Sequence, residues 1–89
     1  MRLDVYLKQS RLIKRRSVAK ESCDSGRVRV GGASSKPGRE VKPGDVISLR
    51  FPRRRLVVEV VETPTGNVTK ERATTLYRVV EDTKQEEEF

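Results

Sequence analysis

Residues 15–32 read RRSVAKESCDSGRVRVGG, and within them the hydrophobic pattern changes from that of a helix to that of a strand. Ala19 and Cys23 have the i, i+4 spacing that places two side chains on one face of a helix. Gly26 suits the left-handed conformation that commonly ends such a helix. The pattern therefore predicts a helix over residues 14–25, followed directly by a strand.

The predicted strand, residues 27–30, alternates strictly between charged and apolar side chains. This alternation predicts that Val28 and Val30 face a core while Arg27 and Arg29 face away from it. The Gly31-Gly32 pair predicts a tight turn. We expect residues 33–40, which are mostly polar, to form a loop.

Towards the N-terminus, residues 2–25 contain no proline or glycine. Leu3 and Leu7 have helical spacing, which predicts a first helix over residues 3–9. Residues 10–13 break the phase, so we expect the two helices to meet at an angle. Cys23 is the only cysteine, and its position in a helix predicts a small apolar core residue instead of a reactive thiol.

Towards the C-terminus, a turn at residues 41–45 precedes two predicted strands, residues 46–51 and 56–61. Ile47, Leu49 and Phe51 share one face of the first of these strands. Arg53, Arg54 and Arg55 are expected in a loop between the strands, and residues 63–69 form another loop because they contain proline and glycine. Residues 73–80 predict a further strand, with a short helix as the alternative, and Glu86-Glu87-Glu88 is expected to be frayed.

Together these elements predict an α+β fold in which two N-terminal helices pack on a small, mostly antiparallel sheet. A chain of 89 residues is long enough for one small domain. Within this single domain, residues 1–51 form the predicted core unit. Residues 52–89 add strands and an acidic, partly flexible tail.

The charge of the chain is high and unevenly distributed. The net charge is +7, and residues 1–55 contain sixteen Lys and Arg against five Asp and Glu, a balance of +11. Residues 56–89 contain four against eight, a balance of −4. A strongly basic first part predicts a polyanionic partner that binds there.

Several classes of function are disfavoured by what the sequence lacks. It contains no histidine and one cysteine, so we expect neither a metal site nor a cofactor. A Gly-rich phosphate loop and a nucleophile with a plausible base are also missing, so catalysis is not expected. No apolar run is long enough for a signal peptide or a membrane span, and we expect a cytoplasmic protein without membrane contact.

The predicted second helix and the residues before it are rich in cations: Arg11, Lys14, Arg15, Arg16 and Lys20. Arg16 and Lys20 are one turn apart, on a different face from Ala19 and Cys23. Only Glu21 and Asp24 are available in that helix to neutralise them, which favours contacts with phosphates over a merely solvated face. Arg27 and Arg29 would enlarge the same positive surface.

Asp4 allows two interpretations. It can stabilise the start of the first helix as an N-terminal carboxylate, or it can orient a neighbouring arginine. Arg2 correspondingly either pairs with Asp4 or contacts RNA. The chain has few aromatic residues, so recognition of structured RNA through its backbone and shape is favoured over base stacking on a sheet, while DNA stays open as an alternative partner.

The first part of the chain contains a series of short motifs: Arg2-Leu3-Asp4, Leu7, Ser10-Arg11, Arg15-Arg16, Ala19, Gly26-Arg27-Val28, Val30-Gly31-Gly32 and Val41-Lys42-Pro43-Gly44-Asp45. Together they resemble the RNA-binding domain named after ribosomal protein S4. The resemblance covers residues 1–51 and implies the α-L fold, in which two helices and an adjoining strand bind structured RNA. Gly31 departs from the family, whose members often have Asn at this position. By the same resemblance, Arg2, Asp4 and Arg16 are the principal RNA-binding residues, with Arg11, Lys14, Arg15 and Lys20 as supporting phosphate contacts.

As a whole, the chain resembles the small heat shock protein 15 group, and within it the proteins of ribosome-associated quality control. This resemblance implies binding to the rRNA of a large ribosomal subunit obstructed by peptidyl-tRNA, contact with that tRNA, and support of the factor RqcH in C-terminal alanine tailing. We expect a monomer. The alternatives are rescue of blocked subunits without tailing, a free-standing tRNA- or mRNA-binding protein, and a ribosome assembly factor.

Overall fold

A computed structural model describes residues 1–84, which form three helices and five strands. In chain order they are α1 (Leu3–Gln9), α2 (Arg16–Asp24), β1 (Val28–Val30), β2 (Ala33–Ser34), β3 (Val46–Phe51), β4 (Arg54–Val60), α3 (Lys70–Ala73) and β5 (Tyr77–Lys84). The predicted fraying of Glu86-Glu87-Glu88 lies outside the described residues. The α+β fold, with two N-terminal helices and an antiparallel sheet, is confirmed.

The five strands form one antiparallel sheet in the order β2-β1-β3-β4-β5. Val28 pairs with Leu49 and Val30 with Ile47, and all four side chains are buried. Arg27 and Arg29 are exposed. The predicted orientation of this strand is therefore confirmed, and it leaves the arginines on the sheet face away from the core.

The turn after β1 extends the sheet by one strand that the sequence did not predict. Gly31 and Gly32 both have positive φ, 61° and 82°, as a two-residue type I′ hairpin requires. This turn brings Ala33 and Ser34 into register with Val30 and Arg29. The prediction of a loop was wrong for these two residues, because an exposed edge strand can pair through its backbone without an apolar pattern.

The loop predicted at Arg53–Arg55 was also partly wrong. The turn uses only Pro52 and Arg53, and β4 begins at Arg54, which pairs with Phe51. Arg55 is consequently opposite Arg50 in the sheet. Two consecutive charged residues, Arg54 and Arg55, do not show the alternation typical of a strand, although their backbone pairing with β3 is continuous.

Two element boundaries differ from the prediction. The helix α2 begins at Arg16 instead of Lys14, because the backbone of Arg15 is extended, with φ −118° and ψ 134°. Residues 73–80 were predicted as a strand, but α3 ends at Ala73 and β5 runs from Tyr77 to Lys84. Thr69 explains the helix, since its hydroxyl accepts a hydrogen bond from the Arg72 N–H as an N-cap.

The hydrophobic core joins the N-terminal helices to the late strands. Leu3, Leu7, Val58 and Leu76 belong to one cluster of buried side chains. Tyr6 lies fully buried within it, and its hydroxyl donates a hydrogen bond to the Leu76 carbonyl at 2.6 Å. Burial raises the pKa of Tyr6 well above its ordinary value. This shared core holds α1 firmly against the C-terminal segment.

Candidate nucleic-acid interface

A buried carboxylate holds two arginines at the surface near the start of α1. Arg2 Nε donates to Asp4 Oδ1 at 3.2 Å, and Arg16 Nε donates to Asp4 Oδ2 at 3.3 Å. The side chain of Asp4 is 1% exposed, whereas those of Arg2 and Arg16 are 50% and 52% exposed. One carboxylate thus orients two guanidinium groups whose outer halves remain in solvent. We call these three residues the Asp4 site.

Asp4 is ionised in this environment. Burial by itself raises the pKa of Asp4, but hydrogen bonds from Arg16, the Val5 N–H and Arg2 outweigh it and hold the pKa below its ordinary value. The Val5 N–H donates to Oδ1 at 2.8 Å, as expected for a carboxylate in the first turn of a helix. Both interpretations of Asp4 therefore apply: it stabilises the helix start, and it orients both arginines.

The loop before β3 brings further cations to the Asp4 site. The N–H groups of Leu3 and Asp4 donate to the carbonyls of Arg39 and Pro37 at 2.8 and 3.0 Å, so the loop satisfies the start of α1. Lys36 and Arg39 then line a groove of about 620 Å³ together with Arg2 and Lys20. The sequence analysis did not identify Lys36 and Arg39 as site residues. The signal that could have found them is the Pro-Gly pair that lies between these two cations.

The orientation of α2 follows its hydrophobic pattern. Ala19 and Cys23 are buried, whereas Arg16 and Lys20 are exposed, as predicted. Burial, followed by the nearby charges of Asp4 and Asp24, raises the pKa of the Cys23 thiol to about 11, so the thiol stays protonated at neutral pH. Cys23 is therefore a core residue.

The N-terminus of α2 concentrates positive charge. Arg15 is its N-cap residue without a side-chain capping bond, and the first turn contains no acidic residue. Arg15 and Arg16 therefore add to the positive end of the helix dipole instead of opposing it. This placement is unfavourable for the isolated helix and favourable for binding an anion.

The other predicted residues lie in two further places. Arg11 and Lys14 line a groove of about 640 Å³ between α1 and the segment before α3. Arg27 and Arg29 line a groove of about 330 Å³ on the outer sheet face, together with Arg50 and Arg55. The structure thus places the nine predicted residues in more than one cluster.

Arg50 and Arg55 were not among the predicted site residues. They are direct cross-strand partners, and like charges in this position destabilise a sheet. Among the described ion pairs, only a 3.9 Å contact from Arg55 Nη1 to Glu81 Oε2 compensates this pair. The sequence analysis did not single out this pair, because Arg55 was predicted to lie in a loop.

Residues 1–84 contain no group of three potential metal-ligating His, Cys, Asp or Glu side chains. Within the same residues, none of the helices has the length and hydrophobicity needed to cross a bilayer. The features that stand out in this part of the chain are its cationic grooves.

Comparisons with known proteins agree with this architecture. The S4 domain model matches residues 1–47. The structure is similar to that of heat shock protein 15 of Vibrio cholerae, which was solved as a trimer, with a TM-score of 0.83 and 29% identity over 90% of this chain and 81% of that one. The domain match and the fold thus show that this chain is an S4-domain protein.

Two curated relatives indicate to which group of S4-domain proteins this chain is related. The RQC P-site tRNA stabilizing factor of Listeria monocytogenes is 46% identical over 87 residues, which are 98% of this chain and 94% of that protein. The factor of the same name from Halalkalibacterium halodurans is 49% identical over 79 residues, 89% of each chain. The chain belongs to the family of the RQC P-site tRNA stabilizing factors.

Proposed function

We propose that this protein binds RNA without catalysing a reaction and stabilises a tRNA on a large ribosomal subunit obstructed by peptidyl-tRNA. The observation on which the proposal rests is the Asp4 site, which presents two preoriented guanidinium groups at a basic surface. The name of the relatives, P-site tRNA stabilizing factor, supplies the partner. The protein would act in the cytoplasm, in association with the ribosome.

The mechanism is positional. Arginine binds phosphate through planar, charge-assisted hydrogen bonds, each of which contributes about 1.5 to 3 kcal/mol. Holding the guanidinium groups on a buried carboxylate lowers the entropy that they lose when RNA binds. We expect the rRNA and the tRNA to be bound through Arg2 and Arg16, which Asp4 orients, and through the supporting cations Arg11, Lys14, Arg15, Lys20, Arg27 and Arg29.

Replacing one of the two arginines tests this proposal. We expect Arg16→Ala to weaken binding to large subunits carrying peptidyl-tRNA by roughly tenfold, which corresponds to about 1.4 kcal/mol. Arg78→Ala is the matched control, because Arg78 is also exposed and also pairs with one carboxylate, Glu59, but lies on β5. Co-sedimentation measures the affinity, and circular dichroism verifies that both variants are folded.

A folded Arg16→Ala protein with the affinity of the Arg78→Ala control would contradict the proposal. Equal losses in both variants would contradict it as well, because they would indicate a general charge effect with no defined site. A loss confined to Arg16→Ala supports the Asp4 site as the RNA contact.

We further propose that the protein supports alanine tailing by RqcH. The sequence similarity to the tRNA stabilizing factors over nearly the whole chain supports this role. A second candidate, implied by the resemblance to the heat shock protein 15 group, is rescue of blocked subunits without tailing. Mass spectrometry of stalled nascent chains, made with and without the protein in a reaction containing RqcH, distinguishes the two by the presence of C-terminal alanines.

We also propose that the protein acts as a monomer. Sedimentation equilibrium at micromolar concentration tests this directly. A trimer, as in the solved structure of the Vibrio cholerae protein, would contradict it.

A further inference from the structure

A second cationic groove lies at the other end of α1 from the Asp4 site. Lys8, Arg11 and Lys14 line one wall, and Lys70 and Asn67 line the other. These four cations form no ion pair with any described residue, and the lining contains no carboxylate. We call this surface the Lys70 groove.

The two walls come from distant parts of the chain and are fastened together. Gln9 Nε2 donates a hydrogen bond to the Gly66 carbonyl at 3.2 Å, and Val68 packs against the hydrophobic core. Lys70 is the first residue of α3, whose start is stabilised by Thr69. The S4 domain match ends at residue 47, so the S4 domain alone would possess only one wall.

The backbone conformation of Arg11 is unfavourable for the stability of the fold. Arg11 has φ 60°, and it is the one non-glycine residue with positive φ within residues 1–84. This left-handed conformation costs an L-residue about 1 to 2 kcal/mol, and glycine usually occupies it at the end of a helix. Strain of this kind is frequent at functional sites, and here it turns a cation towards the groove.

The Lys70 groove and the Asp4 site lie along the same short helix, α1. Asp4 and Lys8 are one turn apart and therefore share a face of α1. The seven residues of α1 span about 10 Å. An RNA backbone bound to Arg2 and Arg16 that follows this face would reach the groove.

We propose that the Lys70 groove binds the phosphate backbone of RNA, as a second contact beyond the S4 domain. The proposal rests on the proposed function, since it extends the same interface. Flexible lysines in an open groove without carboxylates suit phosphates, and the short distance along α1 to the Asp4 site favours RNA as the source of those phosphates. The C-terminal segment, acidic as a whole, thereby contributes a basic residue to RNA binding.

Single charge changes on the C-terminal wall test the inference. We expect Lys70→Gln to weaken binding to large subunits carrying peptidyl-tRNA by at least about threefold and to lower the slope of log affinity against log salt by about 0.7. Lys42→Gln is the control, since Lys42 is exposed, carries the same charge and lies outside the groove. Affinity is measured by co-sedimentation of the full-length protein at several KCl concentrations.

Lys8→Gln provides a second variant on the opposite wall, so the result does not depend on the folding of α3. If Lys70→Gln and Lys8→Gln both match Lys42→Gln while Arg16→Ala loses affinity, the Lys70 groove is overturned and the proposed function stands. If Arg16→Ala also keeps full affinity, the proposed function itself fails. Losses in Lys70→Gln and Lys8→Gln beyond the control support the groove.

Discussion

Asp4 is the residue at which burial, charge and recognition meet. A carboxylate that is 1% exposed would be costly to bury alone. Two arginines and one backbone N–H compensate for this cost. The same contacts that stabilise the charge therefore also aim the guanidinium groups at solvent, so stability and the proposed RNA binding depend on one side chain.

The pKa of Asp4 predicts how stability depends on pH. Because the pKa is lower in the folded protein than in the unfolded chain, whose ordinary value is about 3.9, ionised Asp4 stabilises the fold above about pH 4. This stabilisation is lost as the pH falls through the lowered pKa. We expect urea unfolding between pH 2 and 6 to show a steeper loss of stability for the wild type than for Asp4→Asn.

Asp82 does not confound this comparison. The hydrogen bond from Arg54 lowers the pKa of Asp82, but Asp82 is present in both proteins, so the difference between the curves isolates Asp4. Parallel curves for wild type and Asp4→Asn would contradict the assignment.

The strained backbone of Arg11 predicts that replacing this residue affects stability and RNA binding in different ways. In Arg11→Gly the strain at φ 60° is removed, partly offset by the greater entropy of glycine in the unfolded chain. We expect the free energy of unfolding to stay unchanged or to rise by up to about 1 kcal/mol, while RNA affinity falls. Urea unfolding and co-sedimentation measure the two effects, and a clearly less stable Arg11→Gly protein would show that the conformation is not strained.

At the scale of elements, local sequence signals determined the N-terminal half well. Leu3 and Leu7 located α1 with the bounds that the structure has, and the alternation at residues 27–30 identified the buried face of β1. The side-chain pattern did not predict strands that form because of backbone pairing with a neighbouring strand. Ala33-Ser34 and Arg54-Arg55 are strands because their hairpin partners place them there.

The turn between β1 and β2 gives an element-level prediction. Gly31 has φ 61° with no neighbouring atom within 4 Å of an added Cβ, so only the backbone conformation restricts this position. Asn tolerates that conformation, and Asn-Gly is a favoured type I′ pair. We expect Gly31→Asn to keep the urea midpoint or raise the unfolding free energy by up to about 1 kcal/mol.

Gly31→Val provides the contrast, since a β-branched residue is disfavoured at positive φ. We expect it to lower the unfolding free energy by about 1 kcal/mol or more. Equal midpoints for the two variants would mean that the hairpin turn contributes little to stability.

At the scale of the whole molecule, many of the described cations line grooves around one core. The N-terminal and C-terminal segments share this core, as the Tyr6 to Leu76 hydrogen bond illustrates. Rigid mutual placement of the two segments is what allows Lys8 and Lys70 to face one groove. The acidic residues of the described C-terminal segment are largely paired, with Glu59 bound to Arg78 and Asp82 to Arg54, and the lining of the Lys70 groove contains no carboxylate.

The sequence by itself determined the helix and strand class, the inward faces and the basic character of the first half, because periodicity, glycines and charge are local properties. It also singled out Arg2, Asp4 and Arg16 through their resemblance to the S4 motif. Only the tertiary structure decided that one carboxylate holds both arginines, that Arg50 and Arg55 join Arg27 and Arg29, and that Lys70 meets Lys8. Apart from the pair of neighbours Arg2 and Asp4, these contacts join residues that are distant in the chain, and such residues meet only after the shared core has formed.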